Sequence, residues 1–143
     1  MTTSRVGSVT PMDFRTLLRN ELAQRRARNP RYSARAFARQ LGTEHTAITR
    51  IVNGSGRLTS RRIETLGTRL GLGAHEIAGA VLHEQMERIA RLVSRPGFKS
   101  NARWIATRTG LSLDDVQIAL HYLIYTRRLS MTSATSWTLE PAL

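Results

Sequence analysis

Residues 34–53 read ARAFARQLGTEHTAITRIVN, and the fold of the chain turns on how they are understood. Small and apolar side chains fall at Phe37, Ala38 and Leu41. Gly42 follows, and then Ile48, Ile51 and Val52 recur at helical spacing. Two short helices meeting at a tight turn satisfy this pattern. Ala38 must be small where the second helix presses on the first, and Gly42 supplies a backbone angle that a Cβ would resist. Ile48 and Ile51 bury the inner side of the second helix, which leaves His45, Thr46, Thr49 and Arg50 facing outward.

Around this stretch the charge is unbalanced. The 143 residues carry 22 basic and 10 acidic side chains, a formal net charge of +12. Residues 1–72 hold fourteen arginines against four acids (Asp13, Glu21, Glu44, Glu64), a net of +10, whereas residues 73–143 carry only +2. A concentration of arginine implies a polyanionic partner, since each neutralised phosphate releases condensed counterion. A ribosome-associated or merely soluble basic protein would share the composition. The apolar fraction of 41% suffices for a packed core. No cysteine is present, so disulfides and thiolate metal sites are excluded. The polar start MTTSRVGSVTP is unlike a signal peptide, and no run approaches the roughly 20 apolar residues that span a bilayer. A cytoplasmic protein with no membrane partner is expected.

Residues 1–11 read as a loose arm. Pro11 suits the first turn of a helix over about 12–28, with Asp13 at its positive end; Phe14, Leu17, Leu18 and Leu22 form the apolar face, and Arg15, Arg19, Arg25, Arg26 and Arg28 the other. Asn29 and Pro30 end it. Ser33 is the N-cap of the next helix, to Gln40. The following helix runs from about Glu44 to Val52 and closes at Asn53, Gly54, Ser55 and Gly56. Thr59 or Ser60 caps a fourth helix with Ile63, Leu66 and Leu70 buried, stopped by Gly71 to Gly73. A fifth runs from Ala74 to Leu82 with Ile77 and Val81 inside. Further on, Met86, Ile89, Leu92 and Val93 form a stripe ending at Arg95, Pro96 and Gly97, and a helix near 74–95 is expected to connect the two halves. Asn101 caps a helix through Trp104, Ile105 and Ala106 to Gly110. Ser112 with Asp115 makes a capping box for a helix to about Arg127 that buries Val116, Ala119, Leu120, Leu123 and Ile124. Residues 129–131 and 137–139 alternate at period two around the polar stretch 132–136 and read as a β-hairpin.

The stretch SARAFARQLGTEHTAITRIVNGSGRLTSRRIETLGTRLGL resembles the lambda-repressor-like regulators, the XRE or Cro/cI class. In that class a small residue, a glycine and two aliphatics stand where Ala38, Gly42, Ile48 and Ile51 stand here. The turn at Asn53 and Gly54 and the later Leu70, Gly71 and Leu72 also fall where the class expects them. Thr43 replaces a usual aliphatic, and Glu44 a usual Ser or Thr cap, so Thr43 could cap the helix one residue early. The resemblance covers residues 12–82. IATRTGLSLDDVQIALHYLIYTRRLSM is similar to the winged-helix pattern of bacterial regulators, some of which join these two modules in this order. The fold expected is mainly α: an arm (1–11), a five-helix lambda-repressor-like helix-turn-helix domain (12–82), and a small winged helix of three helices and a hairpin (83–143).

The resemblance implies that His45, Thr46, Thr49 and Arg50 face base edges in the major groove of double-stranded DNA. Arg50 would fork onto guanine, Thr46 would meet a thymine methyl, and His45 would donate to a purine. Ser33, Arg35, Arg57, Arg61 and Arg62, at helix starts or just past the recognition helix, would meet phosphate; an ordinary solvated basic face is the alternative. In the second module Asp114 and Asp115 open the recognition-like helix and would repel phosphate, which favours an assembly or partner role for residues 83–143. Arg103, Arg108, Arg127 and Arg128 keep a second DNA contact open.

An enzyme is not expected. His45, His75, His83 and His121 show no metal-ligand spacing, and there is no phosphate loop or nucleophile elbow, so neither metal nor cofactor is assigned. Trp104 and Trp137 read as core or wing residues. The expectation is a prokaryotic or phage transcription regulator acting as a homodimer on a two-fold operator. The alternatives are an adaptor or antitoxin-like protein that couples DNA to a protein partner, and a non-specific nucleoid- or RNA-binding protein.

Overall fold

Asp13 starts the first helix in the computed structural model, which describes residues 9–140. Its carboxylate accepts the amides of Arg15 and Thr16, and α1 runs Phe14–Arg28. Pro11, expected inside the first turn, therefore stands ahead of the helix. Ser33 caps α2 (Ala34–Gln40) by accepting the amide of Ala36 at 3.0 Å. The chain turns at Gly42, where φ is +70°, and continues as α3 (His45–Val52). Glu44 is its N-cap residue and makes no side-chain capping bond, so Thr43 does not begin the helix early. Thr59, rather than Ser60, caps α4 (Ser60–Arg69) through the amide of Arg62.

The bundle-closing helix does not stop at Leu82: α5 runs Ala74–Val93, the connecting helix expected near 74–95, and absorbs the stripe from Met86 to Val93. The contacts of the chain divide it into two units between Glu84 and Gln85, inside this helix and two residues past the expected boundary. The units are described separately.

In the first unit, Phe14, Leu18, Leu22, Phe37, Ala38, Leu41, Ile48, Ile51, Ile63 and Leu66 are buried together. Leu58, from the loop before α4, completes this core at 4% exposure. Of the expected arm, residues 1–8 lie outside the described residues. The end of it is not loose: the amide of Met12 donates to the carbonyl of Gly79 at 3.1 Å. A Cβ at Gly79 would come within 2.1 Å of the Thr10 carbonyl oxygen, so this contact requires glycine on α5.

In the second unit, Asn101 caps α6 (Ala102–Thr109), which ends at Gly110 with φ +78°. Ser112 caps α7 (Leu113–Tyr125) by accepting the amide of Asp115. That helix stops two residues before Arg127, which sits at φ +61° in the turn to the hairpin. Val116, Ala119, Leu120 and Leu123 are buried with Met86, Ile89, Ile105 and Leu129, but Ile124, expected in the core, is 43% exposed. Strands β1 (Leu129–Ser133) and β2 (Ser136–Leu139) pair antiparallel, with Leu129 opposite Leu139 and Met131 opposite Trp137. The strands thus take in part of the polar stretch expected as the tip. Phe98 packs edge-on to Trp104 at 5.6 Å and against Trp137 at 5.7 Å. The described residues are mainly helical with one small two-stranded sheet. No helix among the described residues is long and apolar enough to cross a membrane.

Candidate nucleic-acid interface

α3 is only eight residues long, too short to persist without tertiary support. Ile48 (fully buried) and Ile51 (1% exposed) hold its inner side against the core, and α1 and α2 pack on it. Its C-terminal carbonyls are also claimed. The Arg15 guanidinium donates to the Ile51 carbonyl at 3.0 Å and to the Gly56 carbonyl at 2.7 Å, and lies 3.8 Å from the Glu84 carboxylate. Arg19 donates to the Val52 carbonyl at 2.7 Å and to the Thr16 hydroxyl at 2.9 Å. The loop after α3 folds back so that the amides of Ser55 and Gly56 both reach the Arg50 carbonyl, at 2.9 and 3.0 Å.

The arginines expected on the other face of α1 divide between several tasks. Two of its five arginines clamp the end of α3. A third, Arg25, ties α1 to α2: it donates to Glu21, Tyr32 and Gln40 and lies 5.1 Å over the Phe37 ring. The bond to the Tyr32 hydroxyl, followed by the one to Glu21, outweighs desolvation and raises its pKa further. Arg26 and Arg28 remain exposed.

The four outward positions of α3 differ in what they offer. Thr46 and Arg50 are exposed, whereas His45 and Thr49 are half-buried. The Thr49 hydroxyl donates to the His45 carbonyl at 3.0 Å. Its proton is used inside the helix, leaving a methyl group and an oxygen lone pair for any ligand. Because Glu44 makes no side-chain cap, the first turn of α3 presents backbone amides beside an exposed carboxylate.

Cations border this edge on several elements. Arg35, Arg57 and Arg61 are exposed and Arg62 is half-buried. Ser33 spends its hydroxyl oxygen on the cap of α2. Leu41, Gly42, Thr43, Thr59, Arg61, Arg62, Thr65 and Leu66 line a concavity of about 290 Å³ between the turn and the start of α4. Its rim joins two guanidinium groups to the N-terminal end of a helix, an arrangement suited to an anion.

The second unit offers fewer cations than its sequence suggested. Arg128 is ion-paired with Glu87, the Nη1 to Oε2 distance being 2.5 Å, and Arg108 lies 5.4 Å over the Trp104 ring. Arg103 and Arg127 are exposed. Among the described residues no three His, Cys, Asp or Glu side chains gather in a way that would hold a metal ion.

Arg15 and Arg19 were not identifiable as positioning residues from sequence, because the carbonyls they reach lie more than 30 residues away. A signal did exist: Arg15 stands three residues before Leu18 and Arg19 three before Leu22, on the flank of the apolar stripe, where an arginine stem packs along a neighbour. Comparison of the chain with protein-family models, with curated proteins and with solved structures found no match.

Proposed function

We propose that this protein is a sequence-specific DNA-binding transcription regulator, with α2, the Gly42 turn and α3 acting as a helix-turn-helix. In this reading residues 12–82 form a lambda-repressor-like domain, and α6, α7 and the hairpin form a winged helix. The observation that carries it is the exposed edge of α3 at Thr46 and Arg50. That edge is held rigid from behind by Ile48, Ile51, Arg15 and Arg19, within a half of the chain whose net charge is +10. A short helix pinned at both its inner face and its C-terminal carbonyls can present side chains to a base edge with little motion.

Arg50 would donate to guanine O6 and N7, and Thr46 with the Thr49 methyl would meet a thymine methyl. His45 would donate to a purine. Arg57, Arg61 and Arg62, with the amides at the starts of α3 and α4, would hold phosphate. The chain would act as a homodimer on a two-fold site in the cytoplasm. The second unit would serve assembly rather than read DNA, because α7 has no lysine or arginine and opens with Asp114 and Asp115.

Selection of bound sequences from a random DNA pool tests this directly. A consensus should emerge, and the preference for it over random DNA should persist as salt is raised. Arg50→Ala should relax the preference at one base pair by a factor of about ten, whereas Arg61→Ala should weaken all sequences alike and flatten the salt slope. Equal loss on every sequence as salt rises would instead mark a packaging protein.

A further inference from the structure

A surface helix of a globular protein carries polar residues on the side away from its core. α7 mixes apolar residues into that side. Away from its buried Val116, Ala119, Leu120 and Leu123, it exposes Ile118 (50%) and Tyr125 (74%) beside Asp114, Gln117 and His121, and at the flank it exposes Leu113 (36%) and Ile124 (43%). Leu113, Ile118, Ile124 and Tyr125 are four of the five exposed large apolar side chains among the described residues. His121, also exposed, stacks on the Tyr125 ring with centroids 6.3 Å apart and planes 12° from parallel. The charges are segregated: Asp114 and Asp115 lie in the first turn, no basic residue lies within the helix, and Arg127 and Arg128 follow its end.

We propose that this face is a docking surface for a second copy of the chain, with the two α7 helices antiparallel about a two-fold axis beside His121. The register comes from the sequence itself. Ile118 and Ile124 are equidistant from His121, as are Gln117 and Tyr125. A two-fold axis at His121 therefore sets Ile118 of one copy against Ile124 of the other and Gln117 against Tyr125. It also carries the acidic start of each helix to the basic end of its mate, Asp114 to the level of Arg128 and its neighbour Arg127, of which Arg128 is already paired with Glu87, and opposes the two helix dipoles. Parallel pairing would instead place Asp114 on Asp114. A nucleic acid is disfavoured as occupant because the face holds two carboxylates and no cation. One helical stripe covers less than the roughly 800 Å² per partner of a standard interface, so the pairing should be weak, on the order of micromolar. It would tighten when both first units are held on one DNA.

The proposal deepens the homodimer in the reading above, and it is measured without DNA so that its failure is distinct from failure of DNA recognition. Sedimentation equilibrium of the full chain should give a concentration-dependent monomer–dimer equilibrium. Ile118→Asp and Tyr125→Glu, both at exposed positions, should each weaken it by about tenfold or more while circular dichroism stays unchanged. Asp114→Arg and Arg127→Glu should each weaken it several-fold, and the double variant Asp114→Arg/Arg127→Glu should recover most of the loss, which a structural role for either residue would not produce. A chain that stays monomeric at several hundred micromolar overturns the proposal. So does a dimer indifferent to Ile118→Asp, a double charge variant weaker than both singles, or a co-purifying different protein that occupies α7 and keeps the chain monomeric.

Discussion

The Arg15 guanidinium donates to the carbonyl of Ile51, 36 residues away, at 3.0 Å. The last carbonyls of a helix have no partner within it, and a cation is the group that best satisfies them. A second bond to Gly56 fixes the loop as well, so one side chain of α1 sets both the end of α3 and the exit of the chain from it.

Replacing Arg15 by alanine removes two charge-assisted bonds at a half-buried position. The expected cost is about 2 kcal/mol, equivalent to a fall of roughly 10 °C in the melting temperature of a unit of this size. Circular dichroism against temperature checks it. Under the proposed function, affinity for all DNA falls together and base preference is retained, because Arg15 positions α3 without facing its outer edge.

Gly56 stands against the same end of α3. A Cβ there would lie 2.9 Å from the Arg50 Cβ and 3.1 Å from the Ile51 nitrogen, both too firmly held to swing aside. Gly56→Ala should therefore destabilise by about 1–3 kcal/mol through overpacking. At Gly71 a Cβ meets nothing within 4 Å, so Gly71→Ala registers only the strain of φ +82°. Urea denaturation of the two variants separates contact from backbone strain; equal losses would mean that the approach of Gly56 to α3 is not tight.

Much of this was legible in the sequence because its causes are local. Ser33, Asn101 and Ser112 cap the helices they precede, and Gly42 and Gly110 take the positive φ that ends a helix or forms a turn. The bonds of Arg15 and Arg19 were not legible, since whether an arginine on a helix flank meets water or a distant carbonyl is decided by tertiary approach. The apolar stripe that starts with Ile77 reads as ending at Leu82, because the half-buried His83, Glu84 and Gln85 interrupt it, while the connecting helix near 74–95 is the one the chain forms. No proline or glycine breaks the helix there, and interruption of a stripe does not end a helix. Ile124 reads as core because it lies four residues after Leu120, yet that places it at the edge of the buried face. Of the residues proposed to contact DNA, the exposure of Thr46 and Arg50 follows from period alone, but the half-burial of His45 and Thr49 and the inward hydrogen bond of the Thr49 hydroxyl do not.

Asp13 makes the stability of the first unit sensitive to acid. Burial alone would raise its pKa, but the Thr16 hydroxyl, the amides of Thr16 and Arg15, and the nearby His83 together hold it below the ordinary carboxylate value. A carboxyl depressed in the folded state stabilises fully above its unfolded pKa of about 3.9, and that contribution is lost as pH falls through the lower, folded value. Asp13→Ala should cost about 1 kcal/mol at neutral pH, with the difference from wild type vanishing as the pH is taken well below 4. Asp13→Asn, which retains a capping oxygen, should lose less at neutral pH and show a shallower acid dependence. Thermal melts across pH 2–7 decide the sign; a gap that widens in acid would contradict the assignment.

Glu44 separates helix stability from recognition. It occupies the N-cap of α3 without bonding to it, and its exposed charge stands at the start of the helix proposed to read DNA. In Glu44→Ser the hydroxyl can accept the amide of Ala47, as Ser33 accepts that of Ala36. Stability should therefore rise by about 1 kcal/mol. Two effects then compete in binding. The new cap occupies an amide that phosphate would otherwise use, while loss of the carboxylate removes a repulsion from every sequence. A full charge outweighs one backbone dipole at this range, so affinity for random DNA should rise, most strongly at low salt. The measurement is a pair of titrations, on the selected site and on random DNA, in wild type and variant. A parallel gain on both places Glu44 against the backbone. A gain on random DNA with a loss on the selected site would mean that Glu44 accepts a hydrogen bond from cytosine N4, and would add a fifth side chain to the reading edge of α3.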